Sequence, residues 1–410
     1  MLRFFTKKPE VITQKEVVNE FVTRSVENIF PNREAFAQKL LQGKPVSIYL
    51  GIDPTGPTLH LGHAVTLRKL REFQKMGHKV TLLIGDFTAT IGDPTDKATT
   101  RKKLTRAEVL KNCTEYKKQA SHYLNFGGSN PARLVFNSKW LAKLNFADVL
   151  ELSSLVTVDQ MLKRDMFAQR QADNKPIHIH EFMYPLMQGY DSVALETDAE
   201  IGGNDQTFNM LMGRDLLKSL KNKEKFVIAV KLLTDPTGKK MGKTENNAVA
   251  LNQTPEDIFG RVMSWGDEII VQAMELCTDM TLDQIKVVED QLKNGENPRN
   301  AKVKLAFEIV KGIHSKEDAE RAQQVFEKTF SKKEMPEDAT EIIVAPNTTL
   351  LNCLVEQKIV ASKGEFRRLA ESGAFHDVDD EALVIGADYV LTKNINLRIG
   401  KKKFVKITLA

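Results

Sequence analysis

The stretch YLGIDPTGPTLHLGH, residues 49–63, decides the fold of this chain. It begins inside the apolar run PVSIYLGI, which is typical of a buried strand, and continues through a turn rich in Pro and Gly. Apolar spacing then predicts a helix from His60 to Met76, with Gly77 as its stop. The next run, KVTLLIGD, predicts a second buried strand. Strand, helix and strand in this order indicate a right-handed βαβ unit of a parallel sheet.

Patterns further along the chain extend this α/β assignment. The runs PARLVFN, residues 131–137, and KFVIAVKLL, residues 225–233, predict two later strands. Apolar spacing over residues 17–26 predicts a helix at the N-terminal side, and residues 146–189 are predicted to be mostly helical. A capping-box pattern at Thr105 predicts a further helix start.

The character of the sequence changes from Thr254 onward. Helix-start patterns at Thr254, Thr281 and Ser315 predict a helical domain that ends near Phe330. A charged segment with two prolines follows and predicts a linker. The predicted segments are 1–245 with an insertion at about 125–200, a helical domain at 246–333, a linker at 334–349, and a small module at 350–410.

Bulk composition limits the possible classes of protein. A length of 410 residues predicts several folded units, and no apolar run approaches the roughly 18 residues of a membrane span. The N-terminal stretch lacks a secretory apolar core, and the three cysteines lie far apart, so we expect a reducing cytoplasm and no zinc or disulfide framework. The net charge of +5 is concentrated in two basic clusters, 97–103 and 398–403, which raises the prospect of a polyanionic partner.

The two histidines of HLGH form an i, i+3 pair in the first turn of the predicted helix. The unpaired amides and the helix dipole at that position favour an anion such as phosphate. A zinc pair on a helix is usually spaced i, i+4 and needs a third ligand, which this stretch lacks. Gly62, between the histidines, would let a flat ligand approach the backbone. Two histidines exposed to water are the alternative that this stretch alone leaves open.

A second glycine-rich and lysine-rich stretch, DPTGKKMGKTENN, occupies residues 235–247. Its lysines, Lys239, Lys240 and Lys243, and Thr244 are suited to polyphosphate. The stretch nearly matches a Walker loop, but Gly238 lies one residue too close to Lys243, and the following ENNAVALN is a poor helix start. A P-loop NTPase is therefore disfavoured.

In this order, HLGH and KMGKT resemble the HIGH and KMSKS signatures of class I aminoacyl-tRNA synthetases. The blocks YPLMQGYD, residues 184–191, and IGGNDQ, residues 201–206, narrow the resemblance to bacterial-type tyrosyl-tRNA synthetases over essentially the whole chain. The resemblance implies a Rossmann-like catalytic domain whose insertion forms a dimer interface, an α-helical anticodon-binding domain, and an S4-like α+β RNA-binding module. Tryptophanyl-tRNA synthetases share the fold and both loops, and a non-catalytic RNA-binding relative is a further alternative. The acidic Asp191 favours a phenol, and the intact loops favour an enzyme.

The resemblance also implies an activity and its residues. The expected reaction is ATP-dependent formation of tyrosyl-adenylate from L-tyrosine, followed by transfer to tRNA(Tyr). The residues implied in catalysis are Thr55, His60, His63, Lys97, Arg101, Lys240, Lys243 and Thr244. Those implied in tyrosine binding are Tyr49, Asp93, Tyr184, Gln188, Asp191 and Gln206. Those implied in ATP binding are Gly51, Asp53, His60, Gly62, His63, Thr66, Gly203, Asp205 and Lys243.

Partners follow from the same resemblance. Mg²⁺ is expected to accompany ATP, and no resident metal or organic cofactor is expected. Lys363, Arg367 and Arg368, in the stretch SKGEFRRLAESGAF, are implied in RNA contact. A cytoplasmic homodimer without membrane association completes the expectation.

Overall fold

A six-stranded sheet forms the centre of the first part of the chain in the computed structural model. The structure describes residues 10–93, 104–235, 237–238, 240–241, 248–330, 339–379, 385–386, 388–400 and 403–410. The strands are β1 (Val26–Phe30), β2 (Ser47–Ile52), β3 (Lys79–Ile84), β4 (Arg133–Phe136), β5 (Ala199–Gly203) and β6 (Phe226–Val230). Their order across the sheet is β1, β6, β5, β2, β3, β4.

The connections of this sheet determine where a ligand can bind. β1 pairs antiparallel with β6, and the pairings of β2 through β6 are parallel. The chain proceeds from β2 to β3 and β4 on one side, and then returns to place β5 against the other side of β2. The strand order therefore reverses between β2 and β5, and α/β sheets bind ligands beyond the carboxyl ends of the strands at such a point.

The helices around this sheet follow the local signals of the sequence. They are α1 (Lys15–Thr23), α2 (Arg33–Leu41), α3 (Leu61–Lys75), α4 (Arg106–Cys113), α5 (Tyr116–Ala120), α6 (Ser138–Leu141), α7 (Phe146–Ser154), α8 (Val158–Leu162), α9 (Asp165–Ala172), α10 (Ile179–Leu195) and α11 (Thr207–Lys221). The predicted βαβ unit is confirmed as β2, α3 and β3. Gly77 follows α3 with φ of +86°, a left-handed conformation that glycine adopts without strain. The capping box at Thr105 is also confirmed.

Two strands of the central sheet, β1 and β5, were not predicted from the sequence. The residues 17–26 were expected to be helical, but α1 ends at Thr23 and Val26 begins β1. The sequence of β1, VENIF, has no simple alternation, and its pairing with β6 is what makes it a strand. β5 contains the first part of the IGGNDQ block and was likewise missed, because a five-residue segment with two glycines gives a weak signal.

The predicted insertion at about 125–200 is too long at its start. Residues 133–136 form β4 and pair in parallel register with β3, so they belong to the central sheet. The helical segment begins after Phe136 and comprises α6 to α10. Apolar residues of α10 and α11 form a shared core there, with Leu186, Val193 and Leu216 among its buried members.

Five helices follow the central sheet, as the spacing from Thr254 predicts. They are α12 (Pro255–Met263), α13 (Ile270–Cys277), α14 (Leu282–Lys293), α15 (Pro298–Ile313) and α16 (Lys316–Phe330). The helix starts predicted at Thr254, Thr281 and Ser315 are confirmed. The chain divides into two compact units, Met1–Thr254 with Arg261–His314 and Pro255–Gly260 with Ser315–Ala410, so the boundary crosses the predicted helical domain.

The second unit contains a four-stranded sheet with the order β7, β10, β9, β8. Its elements are β7 (Thr340–Val344), α17 (Leu350–Glu356), α18 (Lys363–Glu371), β8 (Phe375–Asp377), β9 (Ile395–Ile399) and β10 (Lys403–Leu409). The linker predicted at 334–349 is wrong in its second half, because residues 340–344 pair in parallel with β10. Sequence periodicity did not reveal β7, since Ile342 is its one fully buried side chain. Among the described residues, no helix has the length and apolar character needed to cross a membrane.

Candidate active site

A cavity of about 540 Å³ lies at the switch point between β2 and β5. Gly51 and Ile52 at the end of β2 line it, as do Gly202 and Gly203 at the end of β5. One face of α10 forms another wall of the cavity. Tyr184, Gln188 and Asp191, spaced i, i+4 and i+7 along this helix, line the cavity and form a polar stripe. Polar residues buried on the inner face of a helix are unusual in a simple core, so this stripe indicates a ligand site.

The two histidines lie at the beginning of α3, beside the cavity. His60 is the N-cap residue, and its Nδ1 accepts a hydrogen bond from the backbone N–H of Gly62 at 3.1 Å. His63 Nδ1 accepts from the backbone N–H of His60 at 3.2 Å. Because each Nδ1 accepts a hydrogen bond, the ring proton of each neutral imidazole is on Nε2. Both rings thus have an Nε2–H donor at the positive end of a helix dipole, which is a suitable site for an anion.

The described residues on either side of the lysine-rich stretch lie close to the same helix start. The backbone N–H of Met241 donates to Leu233 O at 2.8 Å, and a Cβ at position 62 would lie 3.5 Å from Met241 O. After the loop, Val249 O accepts from the backbone N–H of Leu61 at 2.9 Å. The loop therefore leaves and rejoins the described structure next to the histidines. The ammonium group of Lys240 also forms an ion pair with Asp205.

Tyr49 and Asp191 lie at the floor of the cavity. Both are buried, with Asp191 only 2% exposed. Asp191 Oδ1 accepts from Trp140 Nε1 at 2.7 Å, and Oδ2 accepts from Asn137 Nδ2 at 3.2 Å. Burial raises the pKa of Asp191 well above its ordinary value, and the two N–H donors oppose this shift. The floor thus presents a buried carboxylate whose outer partners are fixed and whose remaining lone pairs are suited to a ligand hydroxyl.

A second layer of polar groups lies behind Tyr49. Its hydroxyl is 2.7 Å from Ser192 Oγ, and Lys225 Nζ donates to the same Ser192 Oγ at 2.7 Å. Lys225 also pairs with Glu200, which lines the cavity. Burial lowers the pKa of Lys225, while the Glu200 carboxylate opposes this shift. A charged pair with almost no exposure in a strand core needs such mutual compensation.

An acidic wall of the cavity, with Asp53 and Asp93, is suited to an ammonium group. Asp93 Oδ1 accepts from Arg164 Nη2 at 2.8 Å, and Oδ2 accepts from Gln206 Nε2 at 2.8 Å. The Tyr184 hydroxyl donates to Asp53 Oδ2 at 2.9 Å. These contacts fix the direction of each carboxylate in the cavity. The arrangement combines acidic groups for a cation and a hydroxyl with an anion site at the helix start.

Comparison with known proteins agrees with this geometry. The family model of class I tRNA synthetases for tryptophan and tyrosine matches residues 41–331. The tyrosine–tRNA ligase 2 of Vibrio vulnificus (strain YJ016) is 42% identical over 95% of this chain and 98% of its own length. The tyrosine–tRNA ligase of Carboxydothermus hydrogenoformans is 42% identical over 95% of this chain and 97% of its own.

This chain belongs to the bacterial-type class I tyrosyl-tRNA synthetases. Solved structures of the family share its fold. A C-terminally truncated mitochondrial tyrosyl-tRNA synthetase from Coccidioides posadasii matches 76% of this chain and 90% of its own, with a TM-score of 0.61 and 27% identity. The tyrosyl-tRNA synthetase from Archaeoglobus fulgidus, solved with L-tyrosine, has a TM-score of 0.60 over 76% of this chain and all of its own; at 19% identity it supports the fold alone.

The catalytic, tyrosine-binding and ATP-binding residues predicted from the family resemblance line one cavity wherever the structure describes them. Those that line it are Tyr49, Gly51, Asp53, Thr55, His60, Gly62, His63, Thr66, Asp93, Tyr184, Gln188, Asp191, Gly203, Asp205, Gln206 and Lys240. Lys97, Arg101, Lys243 and Thr244 lie outside the described residues. Lys363, Arg367 and Arg368 lie on α18, where all three are exposed and Phe366 anchors the helix in the core.

Several residues of the site were missed by sequence reasoning. They are the partners of Asp191, namely Asn137 and Trp140, the buried cluster of Ser192, Glu200 and Lys225, and the Asp93 partner Arg164. A weak signal existed for two of them. Glu200 and Lys225 are charged residues within or beside the apolar runs AEIGG and FVIAV, and a charge in a buried strand demands a partner.

Proposed function

We propose that this enzyme activates L-tyrosine with MgATP to form tyrosyl-adenylate and then transfers the tyrosyl group to tRNA(Tyr). The observation that carries the proposal is the composition of one cavity. A buried carboxylate and a tyrosine hydroxyl lie at its floor, and two imidazole donors lie at a helix start on its rim. The floor is suited to a phenol, and the rim is suited to a polyphosphate.

The activation step needs alignment rather than a strong base. The attacking tyrosine carboxylate is already an anion, so the main task is to hold it in line with the α-phosphate and to stabilise the charge that moves to pyrophosphate. In the proposal, Thr55 and the Nε2–H groups of His60 and His63 bind the phosphates. Mg²⁺ enters as part of the nucleotide substrate. Lys97, Arg101, Lys240, Lys243 and Thr244 are assigned to the same charge stabilisation by family resemblance.

Tyrosine recognition is assigned to the cavity floor and to the acidic wall. The substrate phenol would contact Tyr49 and Asp191. Phenylalanine would leave the buried Asp191 carboxylate without a hydroxyl partner, and such unpaired groups are strongly unfavourable. The ammonium group is assigned to Asp93, Tyr184 and Gln188, and the substrate carboxylate to Gln206.

The nucleoside part of the adenylate is assigned to the strand ends and the helix start. Gly51, Gly62 and Gly203 would permit close backbone approach, because none has a side chain at the cavity wall. Asp53, Thr66 and Asp205 are assigned as polar contacts to the ribose side. In this structure Lys240 pairs with Asp205, so nucleotide binding would separate or rearrange that ion pair.

The domain roles complete the proposal. The helices from 246 to 333 are assigned to the anticodon and the module from 350 to 410 to RNA binding in the cytoplasm. Exposed Lys363, Arg367 and Arg368 on one short helix support phosphate contact by that module. A homodimer through the α6–α10 segment is supported by Phe146 and Ile179, each 78% exposed, since soluble proteins rarely leave several large apolar side chains exposed in one segment.

Pyrophosphate exchange with purified protein tests the activation step. Exchange is expected to be efficient with tyrosine, far weaker with phenylalanine and absent with tryptophan, and Asp191→Ala is expected to abolish exchange with tyrosine. Asp377→Ala is the matched control, because it removes an equally buried carboxylate from the second unit. Exchange that depends on tryptophan, or full activity of Asp191→Ala, would overturn the assignment.

Sedimentation velocity tests the homodimer. Ile179→Asp is expected to shift the protein toward monomer. Ile343→Asp, at a side chain 71% exposed on β7, is the matched control and should leave the sedimentation coefficient unchanged. A monomeric wild-type protein at micromolar concentration would refute this part of the proposal.

A further inference from the structure

The buried cluster behind the cavity floor contains more charge than its location favours. Lys225 and Glu200 are 1% and 2% exposed; Glu200 lies in β5, and Lys225 immediately precedes the neighbouring strand β6. Replacing a buried ion pair by apolar residues is often neutral or stabilising, so stability alone does not explain such a pair. Glu200 lines the cavity and is the register partner of Tyr49 across β2 and β5. The cluster is therefore positioned to act on the floor.

The directions of the hydrogen bonds at Ser192 determine how the cluster acts on the Tyr49 hydroxyl. Ser192 Oγ has one hydrogen and accepts from Lys225 Nζ at 2.7 Å. Its hydrogen has two candidate acceptors, the Tyr49 hydroxyl oxygen at 2.7 Å and Glu200 Oε2 at 3.3 Å. The first distance is optimal for an O–H···O bond, and the second lies beyond the usual range. In addition, Glu200 already accepts from Lys225. Either hydroxyl could donate across the Tyr49–Ser192 contact, and the proposal assigns the Ser192 hydrogen to this shorter contact, so that Ser192 donates to Tyr49.

With this direction the proton of Tyr49 does not go to Ser192, and it can be directed either to Glu200, whose hydrogen bond adds to burial in raising the pKa of Tyr49, or to the cavity. An unpaired Glu200 carboxylate would compete for that proton, and Glu200 together with Asp191 raises the pKa of Tyr49 beyond the effect of burial. The ammonium group of Lys225 neutralises Glu200 and removes that competition. A substrate phenol can then donate its own proton to Asp191 while it accepts one from Tyr49.

We propose that Lys225, Glu200 and Ser192 are positioning residues that hold the Tyr49 hydroxyl as a hydrogen-bond donor toward the substrate phenol. The inference rests on the proposed contact between that phenol and the Tyr49–Asp191 floor. In this proposal Lys225 and Ser192 contribute to tyrosine specificity without contacting the substrate. The structure also keeps space for the cluster at Gly213 of α11, where a Cβ would lie 2.4 Å from Ser192 Oγ and 2.8 Å from Lys225 Nζ.

Four variants in the full-length protein test the proposal by pyrophosphate exchange. Ser192→Ala removes the donor to Tyr49 and is expected to raise the KM for tyrosine about three- to tenfold. Lys225→Met leaves Glu200 unpaired and is expected to raise that KM by about tenfold or more. The double variant Lys225→Met with Glu200→Gln removes the competing anion and is expected to recover a KM within about threefold of wild type. Tyr49→Phe measures the proposed phenol contact itself.

Two readouts and one control variant separate positioning from a structural role. The KM for ATP and the kcat/KM for phenylalanine, which lacks the phenol oxygen, should remain unchanged in each cluster variant. Thr278→Val, which removes an equally buried hydroxyl that donates to Met274 O outside the cavity, should leave all constants unchanged. Should Lys225→Met fail to fold, Ser192→Ala and the double variant decide the question.

The outcomes are distinguishable. If Tyr49→Phe leaves the KM for tyrosine unchanged, the proposed phenol placement fails, and the inference fails with it. If Tyr49→Phe raises the KM for tyrosine but neither Ser192→Ala nor Lys225→Met raises it by more than about twofold, the placement stands and the inference is overturned. The inference is likewise overturned if the double variant shows no recovery relative to Lys225→Met. Equal losses for tyrosine and phenylalanine would assign the cluster a structural role and also overturn the inference.

Discussion

Replacing Trp140 with Phe should shift the pH dependence of tyrosine activation. Trp140 Nε1 donates to Asp191 Oδ1 at 2.7 Å, while its ring packs against Tyr49, Leu83 and Val135. Phe keeps most of this apolar contact and removes the N–H donor. The perturbation is therefore confined largely to one hydrogen bond to a buried carboxylate.

The size of the shift follows from the strength of that bond. A hydrogen bond to a charged group contributes about 1.5 to 3 kcal/mol, and one pH unit corresponds to about 1.36 kcal/mol. The donor stabilises the ionised form, so its loss should raise the already elevated pKa of Asp191 by about 1 to 2 units. If tyrosine binding requires ionised Asp191, the acid limb of kcat/KM for tyrosine should move to higher pH by this amount.

The pH dependence of the free energy of unfolding gives an independent measure of the effect of Trp140→Phe. The folded-state pKa of Asp191 is raised above its unfolded value, so the stability linked to its proton is present at low pH and is lost as pH rises through the folded pKa. Because Trp140→Phe removes a partner of the ionised form, its cost in the free energy of unfolding should be larger at high pH than at low pH.

The assay is pyrophosphate exchange from pH 5 to 9, combined with denaturant unfolding at both ends of that range. Trp265→Phe is the matched control, because Trp265 is the other tryptophan of the chain and lies outside the cavity lining. An acid limb that stays in place in Trp140→Phe, or that shifts equally in Trp265→Phe, would refute the reasoning.

Three further perturbations have defined outcomes. Gly62→Ala would place a Cβ 2.9 Å from His60 Cε1, so the ring must move, and the KM for ATP in pyrophosphate exchange should rise by about tenfold while the KM for tyrosine stays unchanged. Arg164→Met removes the ion pair between Arg164 and the largely buried Asp93 carboxylate; urea unfolding should show a loss of about 3 kcal/mol, and an unchanged midpoint would contradict the importance of that pair. Thr281→Ala removes the capping box of α14 and should lower the free energy of unfolding by about 1 kcal/mol without changing activation kinetics.

Much of the candidate site could be predicted because its signals are local. The helix start at the histidine pair and the stop at Gly77 depend on neighbouring residues in the chain, and both are confirmed, although the helix begins at Leu61 and His60 is its N-cap rather than its first residue. The sequence block YPLMQGYD, residues 184–191, already contained the residues that form the polar stripe of α10. In contrast, β1 and β7 were missed, since short segments become strands through pairing with partners far away in sequence.

The sequence by itself determined the βαβ unit, the helix start that carries the histidine pair, and the family, because short-range backbone preferences and ordered motifs encode them. Only the tertiary structure decided that Asn137 and Trp140 hold the Asp191 carboxylate, and that Lys225 pairs with Glu200 behind Tyr49. These partners lie 25 to 54 residues apart in the chain. Hydrogen bonds and ion pairs form between atoms within a few ångströms, and that proximity arises from strand order and helix packing, which no local pattern specifies.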